Sequence, residues 1–323
     1  MPDLATLPTP CLLLDEPRMA ANVARIHGRL AGTGVAYRAH LKTAKSVEVA
    51  RRQMTGPHGP AMVSTLKEAG IFAAAGVTDL TYGVGIAPDK LDRVRALRAT
   101  GVDLAVILDS VAQAEAVAAA STPELPLAAL EAAAEGERLA VVGAAGILRA
   151  AGHACPVVSA GSTPTLMSAR RFDGLTEFRA GVCVFFDLFQ AGVGVCAPDE
   201  IALSVLTEVI GHQEDKGWTI TDAGWMAMSR DRGTAGQALD QGYGLICNLA
   251  GRPIPDLIVV GANQEHGIVA QRPGSPFPPP KLPLGTRLRI LPNHACATGA
   301  QYDAYEVVGP DGWRATWPRF SGW

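Results

Sequence analysis

Through its first 120 residues the sequence alternates strand-length apolar runs with segments of helical spacing, and that rhythm leaves few architectures open. Residues 9–14 read as a strand. Residues 17–30 place Met19, Val23, Ile26 and Leu30 at helical spacing and are stopped by Gly32 and Gly34. The pattern then repeats, with strands at 35–42, 60–64, 80–82 and 104–108 and helices at 66–75, 89–100 and 111–120. Repeated βα units predict a parallel sheet or barrel whose loops at the C-terminal strand ends carry chemistry. Residues 123–151 form a long alanine- and leucine-rich helical stretch, one helix or two meeting near Gly143. Strands return at 155–159 and 177–179. From about Leu203 the texture changes to strands at 204–211, 218–221, 257–260, 287–291 and 305–308 between Gly and Pro turns, which predicts a β domain.

The segment 35–46 bears most on function. Val35, Tyr37, Ala39 and Leu41 fall on one side of an extended chain, Ala36, Arg38, His40 and Lys42 on the other, before a helix starts near Ser46. Three basic groups on a strand that packs in a core repel one another and lose hydration. They need an anionic partner or a lowered lysine pKa, and a bound phosphorylated aldehyde meets both needs. The other reading has Arg38 and Lys42 reaching from the strand end into solvent.

Composition bounds the partners. With 323 residues, 48% of them hydrophobic, the chain has ample material for a packed core. A net charge of -3 with no basic cluster offers nothing for nucleic acid or an anionic membrane surface. No apolar run approaches membrane-spanning length, and a cytoplasmic location is expected. The six cysteines are scattered without a CxxC pair, which argues against a disulfide framework. Cys296 stands apart from the other five because His294 lies two residues before it.

The motif Arg38-x-His40-x-Lys42-Thr43-x-Lys45, with the helix that follows it, resembles the pyridoxal-phosphate lysine strand of the D-serine dehydratase and D-threonine aldolase family. The runs 224–233 and 291–298 carry the resemblance further along the chain. It implies an alanine-racemase-type fold, with Lys42 holding the cofactor as an imine and serving as base at Cα. Burial and Arg38 are expected to keep that amine neutral. His40 either contacts the cofactor ring or is a packed, hydrogen-bonded histidine; Lys45 reads as solvated. Gly161, Ser162 and Thr163 would bind the phosphate, with Gly181 and Val182 as the second half of the cup and Arg38 nearby. Cys183 stands where the family usually has tyrosine. His294 and Cys296 match the metal pair of the dehydratase branch, whereas the aldolase branch has aspartate in place of the cysteine. Thiolate plus imidazole favours Zn over Mn or Mg. Extended backbone would point both side chains the same way. Glu265 and His266 would support the metal, while Asp109, Asp222 and Trp225 read as structural.

One departure from the family matters. Barrel strands can be counted at Lys42, Ser64, Tyr82, Asp109, Ser159 and Arg179, and the two that should follow Asp109 are missing after about Ser121. The expected fold class is therefore α/β: a shortened (βα) barrel of alanine-racemase type over residues 15–192. A β domain carrying the metal site would comprise 1–14 plus 193–323. Strand number and shear are linked in a closed barrel, so the shortened form is gapped, six-stranded, or covered by a partner. The function implied is a dehydratase of β-hydroxy D-amino acids. It would take D-threo-3-hydroxyaspartate to oxaloacetate and ammonia, or D-serine to pyruvate, and the resemblance implies a homodimer, with no nucleic-acid or membrane partner expected. A D-threonine aldolase-type lyase and a catalytically impaired pyridoxal-phosphate-binding homologue are the alternatives. Cys296 argues against the first; the missing strands and Cys183 motivate the second.

Overall fold

The computed structural model describes residues 4–85, 90–107 and 127–322. The chain falls into two compact units, Met1–Asn22 with Val184–Arg319, and Val23–Cys183 with Phe320–Trp323. Strand β1 (Cys11–Asp15) and helix α1 (Glu16–Leu30) open it. There follow β2 (Ala36–His40), α2 (Val47–Gln53), β3 (Ala61–Val63), α3 (Leu66–Ala74), β4 (Asp79–Gly85), α4 (Leu91–Ala99) and β5 (Asp103–Ile107). After these come α5 (Leu127–Ala150), β6 (Ser159–Ala160), α6 (Thr163–Ser168) and β7 (Glu177–Ala180).

Strands β2 to β7 make one parallel sheet in the order β5-β4-β3-β2-β7-β6, with β2 flanked by β3 and β7. The six strands agree with the count made from sequence. Among the described residues β5 and β6 are the two ends of this sheet, so the arc is open where a full barrel would carry two more strands. Asp109, the helix read at 111–120 and the junction at Ser121 lie outside the described residues. Helix α5 is continuous through Gly143, which corrects the two-helix alternative: each of its glycines, Gly136, Gly143 and Gly146, costs only about 1 kcal/mol among the helix formers around it.

The alternation read from β2 is present. Tyr37 and Ala39 are buried, and the Tyr37 ring meets His27 edge to face at 5.6 Å between centroids. Arg38 takes the other face, where it belongs to a polar layer that crosses five strands. Its Nε reaches Glu177 Oε2 at 2.5 Å, and its Nη1 reaches Asp79 Oδ1 at 2.6 Å and the Ala61 carbonyl at 3.2 Å. Ser159 Oγ donates to Glu177 Oε1 at 2.7 Å and accepts from Arg179 Nη1 at 2.6 Å. The anion that Arg38 needs is thus supplied by carboxylates of its own sheet. Burial lowers the Arg38 pKa, but hydrogen bonds to Asp79 and Glu177 outweigh it and hold the guanidinium above its ordinary value.

The other unit continues with α7 (Leu188–Gly192), β8 (Leu203–Gln213), β9 (Trp218–Thr221), α8 (Trp225–Met228), β10 (Gly244–Cys247), β11 (Pro253–Ala262) and β12 (Gly267–Gln271). Strand β13 (Arg287–Pro292), α9 (Ala295–Gly299), β14 (Ala304–Gly309) and β15 (Gly312–Pro318) complete it. Its nine strands run β13-β10-β11-β12-β9-β8-β1-β14-β15, and an additional β13 to β8 pairing closes six of them into an antiparallel barrel. As the sequence predicts, β1 joins this sheet, antiparallel to β8 and parallel to β14. Its run Leu12, Leu13 and Leu14 is fully buried, as a strand flanked on both edges and covered on both faces must be. No helix of the described residues is long and apolar enough to cross a membrane.

Candidate active site

Strand β2 ends at His40, two residues before Lys42. Residues 41–45 turn back on themselves, closed by the Lys45 N–H donating to the Leu41 carbonyl at 2.9 Å, with Lys45 at φ 46°. Lys42 stands exposed on this turn, at the C-terminal end of the central parallel strand. The sequence reading extended the strand through Lys42 and buried it; the tight turn lifts the side chain out instead. No carboxylate of the described residues pairs with its amine. His40 Nδ1 lies 3.5 Å from the Lys42 N–H. Burial, then the charges of Lys42 and Arg179, push the His40 pKa down to about 3, so its ring is neutral at physiological pH.

Two glycine turns stand next to this lysine turn. A side chain at Gly181, just after β7, would press on the His40 carbonyl at 2.8 Å, and one at Gly161, after β6, would run into the Arg179 backbone. Both turns are therefore held against the neighbouring strand ends by the absence of a Cβ. The Gly161 N–H donates to Glu137 Oε1 of α5 at 2.8 Å. Ser162 caps α6 and is answered by Thr165, whose hydroxyl accepts from the Ser162 N–H at 3.0 Å. Thr163 Oγ1 accepts from the Cys183 N–H at 3.2 Å, which leaves its own proton for another acceptor. Val182 begins the short turn Val182–Val184 after Gly181. Cys183 is turned into the core, its Sγ 3.7 Å from the Tyr37 hydroxyl. The Glu137 carboxylate stands in for an external anion at Gly161: it shows that this turn accepts negative charge, as a phosphate group would require. Together with an unpaired exposed amine at Lys42, the residues present fit pyridoxal phosphate.

In the other unit, His294 and Cys296 sit where β13 gives way to α9. The backbone is not extended there, as the sequence reading had it. His294 is the residue before the helix and Cys296 lies in its first turn, which still brings imidazole and thiol into hydrogen-bond contact. That contact, against the opposing effect of burial, raises the His294 pKa to about 9. Asp187 fixes the junction: its Oδ2 accepts from the Ala295 N–H at 3.0 Å and its Oδ1 from the Gln190 N–H at 3.0 Å. Burial raises its pKa to about 6 against those two donors. Asn293 is equally tied, donating to the carbonyls of Asp231 and Gly242.

The partner of His294 is Asp231, with Nδ1 to Oδ2 at 2.7 Å. Asp231 Oδ1 accepts from the Gly233 N–H at 2.7 Å, so the carboxylate is held at both oxygens. A carboxylate on one ring nitrogen sets the tautomer and aims the other nitrogen, the arrangement found behind metal-bound histidines. Sequence reasoning missed Asp231, whose only signal is an acid between two arginines in the run 224–233. Glu265 and His266, assigned there as supports, are exposed on the turn between β11 and β12. With Pro10, Asp222 and Met226 they line a cleft of about 420 Å³ that does not include His294. Among the described residues no group of three or more His, Cys, Asp and Glu side chains forms a metal cage. Imidazole and thiol here form a two-ligand donor set, of the chemistry that suits zinc with its remaining positions open.

Comparison with known proteins agrees with this architecture. Residues 202–308 match the putative serine dehydratase domain. The chain is 48% identical over 376 aligned positions to D-threo-3-hydroxyaspartate dehydratase of Delftia sp., covering 99% of each. Since this chain has 323 residues, at least 53 of those positions face a gap in it, in keeping with a shortened barrel. The solved structure of that enzyme superposes with a TM-score of 0.93 at 47% identity, covering 100% of both chains. Solved variants of it include a histidine-to-alanine change and, in a metal-free form, a cysteine-to-alanine change two positions on. A 3-hydroxy-D-aspartate aldolase of Paracoccus denitrificans is more distant, at 25% identity over 98% of this chain and 92% of the aldolase. Alanine racemase of Bacillus anthracis, 13% identical with a TM-score of 0.58 over 96% of this chain and 97% of its own, shares the fold. The chain belongs to the D-serine dehydratase-like family of alanine-racemase-type fold.

Proposed function

We propose that the chain is a pyridoxal-phosphate- and divalent-metal-dependent dehydratase of β-hydroxy D-amino acids. D-threo-3-hydroxyaspartate, giving oxaloacetate and ammonia, is the substrate that the 48% identity favours, with D-serine giving pyruvate as its neighbour. The observation that carries the reading is the His294 and Cys296 pair aimed by Asp231. Its spacing of two residues is that of the histidine and cysteine changed in the metal-free and related variants of the Delftia enzyme. Zinc is the ion best suited to an imidazole and a thiolate.

When bound, pyridoxal phosphate supplies an electron sink for charge at Cα, and the divalent ion draws off the β-hydroxyl. The chain's own part is to place and move protons. Lys42 would hold the cofactor through its exposed Nζ, and the same atom would serve as the base for the Cα proton. The ring of His40, kept neutral by burial, adds no second positive charge beside Lys42. Gly161, Ser162, Thr163, Gly181 and Val182 would hold the phosphate end. His294 and Cys296 would hold the ion, with Asp231 keeping the His294 ring from rotating away. A homodimer in the cytoplasm is part of the same proposal.

The test is incubation of protein, pyridoxal phosphate and Zn with D-threo-3-hydroxyaspartate, measuring ammonia and glycine. Ammonia without glycine supports the dehydratase. Glycine with an aldehyde makes the chain an aldolase, and neither product from D-threo-3-hydroxyaspartate, with no ammonia from D-serine either, makes it a silent binding homologue. Lys42→Ala must remove both the visible cofactor band and turnover, or the assignment of Lys42 is wrong.

A further inference from the structure

We propose that Glu137 is a built-in occupant of the phosphate cradle, and that it must leave Gly161 before the cofactor's phosphate can enter. The inference rests on the cofactor reading above and adds to it a gate made from this chain's own helix α5. Glu137 Oε1 takes the Gly161 N–H at 2.8 Å, the backbone donor that the turn after β6 has to offer an anion. The Gly161 backbone cannot rotate that donor elsewhere, because it is pressed against Arg179 with no room even for a Cβ. Carboxylate and phosphate are both anions. They compete for one N–H and repel each other, so they do not share it.

The contact is also poised to break. Glu137 Oε2 is buried and has no hydrogen-bond partner among the described residues. A buried carboxylate oxygen with no donor is an unfavourable arrangement, and rotation of the side chain toward solvent relieves it. What holds Glu137 in place is a single hydrogen bond and the field of the half-buried Arg179 guanidinium, which is itself tied to Ser159. An arriving phosphate replaces that hydrogen bond with a stronger one of the same kind and leaves Glu137 free to swing out. Glu137 thereby sets the affinity for the phosphate end of the cofactor without touching the reacting carbon.

The experiment compares wild type, Glu137→Gln and Glu137→Ala as full-length apoprotein, titrated with pyridoxal phosphate and, separately, with pyridoxal. Pyridoxal carries the same aldehyde without the phosphate, so it reports the Lys42 bond alone. Dissociation constants are read from the visible absorbance band. Both variants should bind pyridoxal phosphate at least about tenfold more tightly, Ala more than Gln, the size of one charge-assisted hydrogen bond lost by a competitor. Pyridoxal binding should not change. Unchanged or weaker binding of pyridoxal phosphate by the variants overturns the gate, as does an equal gain for pyridoxal. If no protein of the three shows a band with either aldehyde, the cofactor reading falls and the gate with it. Should Glu137→Ala fail to fold, Glu137→Gln, which keeps the shape and an acceptor oxygen, decides alone.

Discussion

Arg38→Met removes the centre of the polar layer in the parallel sheet while keeping the length of the side chain. Two carboxylates then lose a partner, with unequal consequences. Asp79 is 48% exposed, so water takes over and its share is under about 1 kcal/mol. Glu177 is 8% exposed and faces an Arg38 side chain that is 11% exposed, so this pair behaves as a buried one. Breaking such a pair by removing one member costs about 3–5 kcal/mol, because the other is left as an uncompensated buried charge. Glu177 keeps its hydrogen bond from Ser159, and Arg179 lies beyond, which places the expected loss near the lower end, about 3 kcal/mol. For a unit of this size that lowers the melting temperature by roughly 6–12 °C. The double variant Arg38→Met with Glu177→Leu should recover much of the loss, giving a coupling energy of about 2 kcal/mol in a double-mutant cycle. Thermal melts of the four apoproteins followed by circular dichroism measure it. A loss below 1 kcal/mol with no coupling, joined to a fall in pyridoxal phosphate affinity, would return Arg38 to the role that its place in the motif first suggests.

Three further outcomes follow from the geometry. Asp231→Asn should weaken zinc binding about 10- to 100-fold by freeing the His294 ring, and competition with a chromophoric chelator reads it directly; unchanged affinity removes Asp231 from the site. His40 has a folded pKa of about 3 against 6.5, so the unfolded chain binds a proton between those values that the folded chain refuses. Stability is then full above pH 6.5 and lost as pH falls, by about 2 kcal/mol at pH 5. Urea midpoints at pH 7 and pH 5 should show that loss, and His40→Gln should flatten it; an identical pH slope in the variant refutes the assignment. Cys183→Tyr restores the family's usual residue but must fit a fully buried position with the Tyr37 hydroxyl 3.7 Å away. It should cost about 1–3 kcal/mol by overpacking without tightening cofactor binding, and a gain in affinity would show that position 183 faces the cradle after all.

What the sequence made legible, and what it did not, divides along a physical line. Elements with several turns or alternations announce themselves: α1 and α3 by helical spacing, β8 and β13 by their β-branched and leucine-rich runs, β1 by a leucine triplet. The two residues of β6 and the glycine-bearing β10, β12 and β15 are too short or too mixed to carry a period, and pairing across the sheet decides them instead. In the candidate site the donors were readable and their partners were not. Lys42, Gly161, His294 and Cys296 belong to local motifs. The groups that complete them come from far along the chain: Glu177 lies 139 residues from Arg38, Asp231 lies 63 from His294 and Glu137 lies 24 from Gly161.

Two of those three distant groups, Glu177 and Glu137, are carboxylates standing where the sequence alone assigns a ligand's phosphate. A basic strand face or a glycine turn states that negative charge is required, and Coulomb's law is indifferent to whether the protein or a ligand supplies it. Burial separates the two cases. Glu177 is enclosed, doubly hydrogen-bonded and linked to both Arg38 and, through Ser159, Arg179, so no ligand can displace it without stranding two cations. Glu137 is held through one oxygen only, with the other left without a donor, so an incoming anion strands nothing. The same residue type therefore closes one anion site permanently and the other reversibly, and the number of donors that each carboxylate satisfies decides which.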